Sequence, residues 1–271
     1  MKNHNGVLYR EWRFDAPGAV TLLVHGLGGH SERWRFLSEF FLQNNISSYA
    51  VELKGFGETE GLKGHADSLN TYLEDIKTLH NLIAQENPGK KIFLIGESMG
   101  ALLAFLIARE KEKLFDGVIC ISPAFKSILK FSATMYIKIF LNSIFCPEKQ
   151  FRINFDSAIL TRDREYQEVI NSDPREHRLA TAGLLINIAR GQIKAAGLKN
   201  RIRAPLLFLL AGGDKMVDLE ASKRIFNGLK LEDKTIFIYP GMYHALSIDL
   251  RKENVFGDIV KWIEHRIMCY A

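Results

Sequence analysis

The chain has 271 residues, 47% apolar and 25% charged, with a formal net charge of +5. That is enough length for one large domain with an insertion and an ordinary composition for a globular fold, which excludes collagen-like and disordered classes. The longest apolar run, Phe131–Phe145, is broken by Lys138 and Asn142 and falls short of the roughly 20 residues a membrane span needs.

Gly6–Phe14 reads as an opening strand, closed by the turn Ala16-Pro17-Gly18. Ala19–Val24 is a buried strand that runs into His25-Gly26-Leu27-Gly28-Gly29-His30. Ser31 is the expected N-cap of a helix to about Gln43, with Trp34, Phe36, Leu37, Phe40 and Phe41 as its apolar face. Ile46–Leu53 is the next strand, followed by the glycine-rich loop 54–64. Asp67 or Ser68 caps a helix to about Glu86, which Asn87-Pro88-Gly89 stops.

Lys91–Ile95 is a short apolar strand, followed by Gly96-Glu97-Ser98-Met99-Gly100 and the wholly apolar helix Ala101–Ala108. Asp116–Ser122 is a further strand. From Pro123 to Arg203 the periodicity is helical with no clear strand, and Asp173-Pro174 is the expected entry to a helix. Strand–helix alternation resumes with Pro205–Ala211, a helix over about 218–229, Lys234–Tyr239 and a last helix over about 254–268. The fold class is therefore α/β: a mainly parallel central sheet with helices on both faces and an inserted helical segment. The expected division is 1–122 with 204–271 as core, and 123–203 as insert.

In such sheets sites form at the carboxyl ends of the strands. Strand, tight turn, serine and helix over 91–108 match the G-x-S-x-G nucleophile elbow. Gly96 and Gly100 fit because a Cβ at either would meet the neighbouring strand or helix, and the helix N-terminus favours developing negative charge at Ser98. A serine hydroxyl needs a base, and the base needs an acid to orient it. His244, just past Lys234–Tyr239, is the expected base. Asp214, just past Pro205–Ala211, is the expected acid, with Asp218 its rival and the better candidate for a helix cap. The backbone N–H groups of Leu27 and Met99 are the expected oxyanion donors.

The glycine loops lack the lysine-serine/threonine ending of a Walker A motif and do not fit a dinucleotide fingerprint. No cofactor, no metal site and no nucleic-acid partner is expected, since no histidine pair has ligand spacing with carboxylates. Three widely spaced cysteines, Cys120, Cys146 and Cys269, suit reduced thiols, and the first residues lack the apolar core of a signal peptide, so a cytoplasmic location is expected.

HGLGGHSERW, KGFGETEG, GESMG, AGGDKMVD and YPGMYHAL, in this order, resemble the monoacylglycerol lipase and lysophospholipase branch of the α/β-hydrolases, the hydrolase 4 or serine aminopeptidase-like group. The second loop departs from that group's frequent arginine-glycine-histidine-glycine run. The resemblance implies an α/β-hydrolase fold, the triad Ser98, Asp214 and His244, oxyanion donors at Leu27 and Met99, and a helical cap at 123–203. It also implies serine ester hydrolysis of lipid-like acyl esters, monoacylglycerols or lysophospholipids, through an acyl-enzyme. A short-to-medium-chain carboxylesterase or acyl-thioesterase with the same triad is the alternative, and a non-catalytic lipid-binding protein on this fold a remoter one.

The insert holds 14 Lys and Arg against 7 Asp and Glu, whereas the rest of the chain has a balance of −2. Phe125–Leu141 is apolar and aromatic with lysines between, a pattern that suits a lipid chain or a peripheral membrane contact as well as ordinary core packing. His25 and Gly26 of the first loop, and Phe125, Leu129, Met135 and Ile137 of the insert, are the expected substrate contacts.

Overall fold

The computed structural model describes residues 1–109, 114–153, 156–197 and 202–268. The chain opens with a hairpin, β1 (Lys2–His4) and β2 (Val7–Trp12). The expected opening strand, Gly6–Phe14, covers β2 but not β1, and Asn5 and Gly6 between the two both take positive φ, at 50° and 81°. Asn-Gly is the dipeptide that tolerates such a turn, so the residues before it fold back as a second strand. Next come β3 (Ala19–Val24), a 3-10 turn at Ser31–Trp34 and α1 (Arg35–Leu42). Ser31 is not an N-cap: its N–H donates to Glu52 Oε2 at 2.7 Å, so a carboxylate from the neighbouring strand satisfies the turn instead.

β4 (Ile46–Glu52) leads to α2 (Leu69–Glu86), capped by the Ser68 side chain on Asn70 N. β5 (Lys91–Glu97), α3 (Met99–Ile107) and β6 (Gly117–Ile121) follow. Between β6 and the next sheet strand lie α4 (Ala133–Phe145), β7 (Gln150–Arg152), α5 (Ser157–Leu160), α6 (Arg164–Ser172), β8 (Leu179–Thr181) and α7 (Ala182–Ala196). The chain closes with β9 (Leu206–Ala211), α8 (Leu219–Gly228), β10 (Lys234–Tyr239) and α9 (Lys252–Met268).

Among the described residues eight strands form one sheet, in the order β1-β2-β4-β3-β5-β6-β9-β10. The β1–β2 and β2–β4 pairs are antiparallel, and every pair from β4 to β10 is parallel. β3, β4, β6 and β9 are buried along their whole length, as strands covered on both faces must be. Val20, Leu22 and Val24 face one core with the buried sides of α2 and α3. Ala19 and Leu23 face the other, with Leu37 and Phe41 of α1 and Ile259 and Ile263 of α9. All nine residues of α3 are buried, which explains its uniformly apolar sequence.

Two features of the inserted segment differ from the sequence expectation. β7 and β8 form a two-stranded antiparallel ribbon, each strand three residues long, too short to leave an alternating pattern. Asp173-Pro174 is a helix exit, with Asp173 at the C-terminal cap of α6. Its carboxylate is occupied by the Arg175 backbone N–H and guanidinium, at 2.9 and 2.7 Å, so it caps no following helix. Cys120 is a buried free thiol and Cys146 an exposed one, and Cys269 lies outside the described residues.

Candidate active site

The tight turn after β5 is dictated by contact. A Cβ on Gly96 would lie 2.2 Å from the Gly100 carbonyl oxygen, and one on Gly100 would lie 2.1 Å from that of Val24. Between them Ser98 takes φ 57° and ψ −116°, a conformation L-residues hold only where the surroundings enforce it. Here Ser98 N donates to Ile121 O at 2.9 Å, and Ser98 O accepts from Leu102 N and Ala124 N, both at 3.1 Å. Neighbouring strand, following helix and inserted segment thus hold the serine together.

His244 and Asp214 follow β10 and β9. His244 Nδ1 meets Asp214 Oδ2 at 2.8 Å, and both side chains are 2% exposed. Asp214 Oδ1 accepts from Met216 N and Val217 N at 2.8 and 3.0 Å. The carboxylate is thereby fixed, and the imidazole presents Nε2 buried and without a protein hydrogen bond. Asp218, the rival acid, caps α8 through Ala221 N at 3.0 Å and pairs with Lys126 at 2.8 Å.

Ser98, Met99, His244, Gly26 and Leu27 line one cavity of about 340 Å³. Its remaining walls are chiefly apolar: Leu129, Phe131, Tyr136 and Ile139 before and on α4, Ile153 and Leu160, Leu185, Ile188 and Ala189 of α7, and Met216 and Val217. That size and lining are typical of a site for a small apolar ligand with a few placed polar groups. The loop of Leu27 is closed by a Gly29 N–H bond to Gly26 O at 3.2 Å.

The other expected contacts are placed differently. Gly26 and Leu129 reach the cavity. His25 lies beneath the loop, with Nδ1 2.8 Å from Gly26 O and Nε2 accepting from Leu53 N at 3.1 Å. Phe125 packs into the core against Phe105 and Phe208. On α4 the residues lining the cavity are Tyr136 and Ile139; Met135 is not among its walls, and Ile137 is exposed.

Two charged wall residues escaped the sequence reading. Glu97 is buried, accepting from Ser247 N at 3.1 Å and Ser247 Oγ at 2.8 Å, and burial raises its pKa above the ordinary carboxyl value. Arg33 is buried against Glu176, with Nε and Nη2 each 2.6 Å from a carboxylate oxygen. Burial works against that cation, but the charge and hydrogen bonds of Glu176 outweigh it and its pKa is raised. No local pattern signals this pair, whose partners are 143 residues apart. Beside it His30 Nε2 lies 3.3 Å from Asp173 and 3.4 Å from Glu176. Burial, with the charges of Arg175 and Arg33, pushes the His30 pKa down to about 3. Among the described residues no group of three or more His, Cys, Asp or Glu could hold a metal ion.

A parallel sheet sandwiched by helices, with a strained serine after its fifth strand and an aspartate–histidine pair on later strand ends, defines an α/β-hydrolase. The profile of the hydrolase 4 family, described as serine aminopeptidase S33, matches residues 15–251, and the chain belongs to that family. The monoglyceride lipase of Mus musculus is 27% identical over 267 residues, covering 95% of this chain and 86% of the relative. The monoacylglycerol lipase of Mycolicibacterium smegmatis is 24% identical, covering 95% and 92%. Among solved structures, the monoacylglycerol lipase of Paleococcus ferrophilus superposes with a TM-score of 0.87 at 27% identity, covering 96% of this chain and 99% of that one. A soluble variant of the Saccharomyces cerevisiae monoglyceride lipase, in complex with a substrate analogue, shares the fold with a TM-score of 0.83 at 21% identity, covering 98% and 94%.

Proposed function

We propose that the chain is a serine hydrolase that cleaves carboxylic esters of lipid-like acyl chains, monoacylglycerols or lysophospholipids, through an acyl-enzyme. The observation that carries this reading is the His244–Asp214 pair at 2.8 Å, its free Nε2 buried at the wall of the same apolar cavity that Ser98 lines. Ser98 Oγ attacks the ester carbonyl while His244 Nε2 takes its proton. Asp214 holds the ring in the tautomer that leaves Nε2 with a lone pair and stabilises the imidazolium that forms. The N–H groups of Leu27 and Met99 receive the oxyanion; losing one such donor costs about 3 kcal/mol of barrier. His244 returns the proton to the leaving alcohol, then activates the water that releases the acid.

In this reading residues 123–203 act as a cap whose α4 and α7 form the acyl pocket. Alkyl chains favour such walls by about 0.8 kcal/mol per buried methylene. The outer side of α4 leaves Ile137, Phe140, Ile144 and Phe145 exposed, the last at 77%, with Lys138 among them. That combination suits shallow contact with an anionic lipid surface, from which the substrate would be drawn. No helix among the described residues is long and apolar enough to cross a membrane.

A fluorophosphonate probe should label the wild type and not Ser98→Ala; a wild type that never labels refutes the mechanism. A chain-length series of p-nitrophenyl esters should rise beyond butyrate. A maximum at acetate or butyrate would make the chain a short-chain carboxylesterase. Flotation with anionic vesicles should weaken in Phe140→Glu/Phe145→Glu, and equal flotation would remove the surface contact.

A further inference from the structure

The loop that carries His244 is fastened to the inserted segment on both sides of the histidine. Asp249, five residues on, has a side chain with no solvent exposure. Its Oδ2 accepts from Tyr243 N at 2.8 Å and from Arg162 Nε at 2.9 Å. Its Oδ1 accepts from Arg162 N at 2.7 Å and meets Thr161 Oγ1 at 3.2 Å. On the other side of the histidine, Ala245 N donates to Leu160 O at 2.9 Å. Arg162 also reaches Leu250 O with Nη2 at 2.8 Å. Residues 160–162, at the end of α5, thus hold both sequence neighbours of His244, Tyr243 through Asp249 and Ala245 directly.

Neither Asp249 nor Arg162 lines the cavity. A buried carboxylate is costly unless paired and hydrogen-bonded, and this one is satisfied by a cation and two backbone N–H groups, with the Thr161 hydroxyl shared between it and Ile248 O. What the arrangement fixes is the backbone on which the imidazole stands. Asp214 sets the rotation of the ring but not the position of its Cα, and a misplacement of about 1 Å at a reacting group can cost about 100-fold in rate.

We infer that Arg162 and Asp249 are positioning residues for the base, locking the 243–249 loop, and with it His244, to the inserted segment. The inference rests on the reading of His244 as base. It makes the inserted segment part of the catalytic framework as well as a pocket wall: a shift of α5 relative to the sheet displaces Ala245 and Tyr243 together.

The test uses the full chain with Arg162→Ala and Arg162→Lys. Arg162 is partly exposed, and its removal leaves Asp249 the backbone donors Tyr243 N and Arg162 N, so the variant is expected to fold. With a short p-nitrophenyl ester, kcat and the rate of fluorophosphonate labelling should fall about tenfold in Arg162→Ala, with KM within about twofold. Arg162→Lys should recover part of the loss. Amide hydrogen exchange should accelerate at residues 243–249 and not across the sheet. Labelling at the wild-type rate overturns the inference, as does a loss carried equally by KM or accompanied by faster exchange throughout the core. A wild type that never labels refutes the triad itself; the exchange pattern then still decides, on its own, whether Arg162 fixes this loop.

Discussion

Asp214→Asn tests the proposed base through its hydrogen bonds alone. In the wild type Asp214 Oδ1 serves the two amides of Met216 and Val217, and Oδ2 serves His244 Nδ1. Asparagine has one acceptor oxygen and one donor nitrogen. The two backbone N–H groups claim the oxygen, because the opposite flip would set the side-chain NH2 against both of them. The amide nitrogen therefore faces His244, and two donors cannot share one hydrogen bond. His244 must carry its proton on Nε2 instead of Nδ1, and Nε2 no longer has a lone pair for the Ser98 proton. The expected loss in kcat is about 10,000-fold, by analogy with triads in which only this tautomer is changed. That corresponds to about 5.4 kcal/mol of barrier. The assay is kcat with a p-nitrophenyl ester, beside circular dichroism to verify folding. Asp218→Asn is the companion variant, since asparagine caps a helix as well as aspartate and α8 should be unaffected. Asp214→Asn retaining a tenth of the activity, or Asp218→Asn losing as much, would refute the assignment of the acid.

Gly100→Ala should give no folded protein, since its Cβ would meet the Val24 and His25 carbonyl oxygens at 2.1 and 2.7 Å, an overpacking worth about 3 kcal/mol or more; a normal thermal melt would contradict this. His30, held near 3, stays neutral in the fold while its unfolded counterpart takes a proton below about 6.5. Stability should therefore decline as pH falls from 6.5, by at most about 1.4 kcal/mol per unit for this one group. His25, also lowered by burial, adds to the slope, so His30→Gln should flatten the melting profile between pH 6.5 and 5 in part; an unchanged slope would count against the shift. Ala189→Phe, which intrudes from α7 into the cavity, should depress turnover of long acyl esters more than of butyrate, and an equal effect on both would take α7 out of the acyl pocket.

Residues 91–108 were legible because each level of the sequence agrees there. An apolar strand, two glycines forced by close approach and an all-buried helix leave one arrangement, and the backbone of Ser98 takes it. Asp214 and His244 were legible from their place after strands, and the geometry that brings them to 2.8 Å comes from parallel neighbours that end at one edge of the sheet. The inserted segment was less legible. Its two strands are held by docking on the second glycine loop, where Thr181 N donates to Gly64 O at 2.8 Å and Gln150 Nε2 to Lys63 O at 2.7 Å. Such contacts leave no periodicity within the strands themselves. Nothing in the residues around Arg33 marks it as buried, because the Glu176 that closes over it lies 143 residues away. Asn5-Gly6, by contrast, carries a readable hairpin signal, which an opening strand begun at Gly6 passes over.

The place of α7 bears on how this family can be recombined. β6 and β9 are adjacent and parallel, so the chain must return from one edge of the sheet to the other before β9 begins. α7 lies on that return path and packs against the core, with Gly191 so close that a Cβ there would lie 2.7 Å from Leu69 Cδ1. A graft of a relative's lid should therefore cut between Pro123 and Thr181, keep the recipient's α7 and retain Leu160–Arg162, which hold the His244 loop. Loop-closure entropy rises by only about 0.6 kcal/mol for each doubling of length, so the exchanged piece can differ widely in size. Stretching the exchange to Arg203 would instead carry a foreign helix into the seam between α2 and α3, where Gly191 packs against Leu69, Leu102 and Leu106.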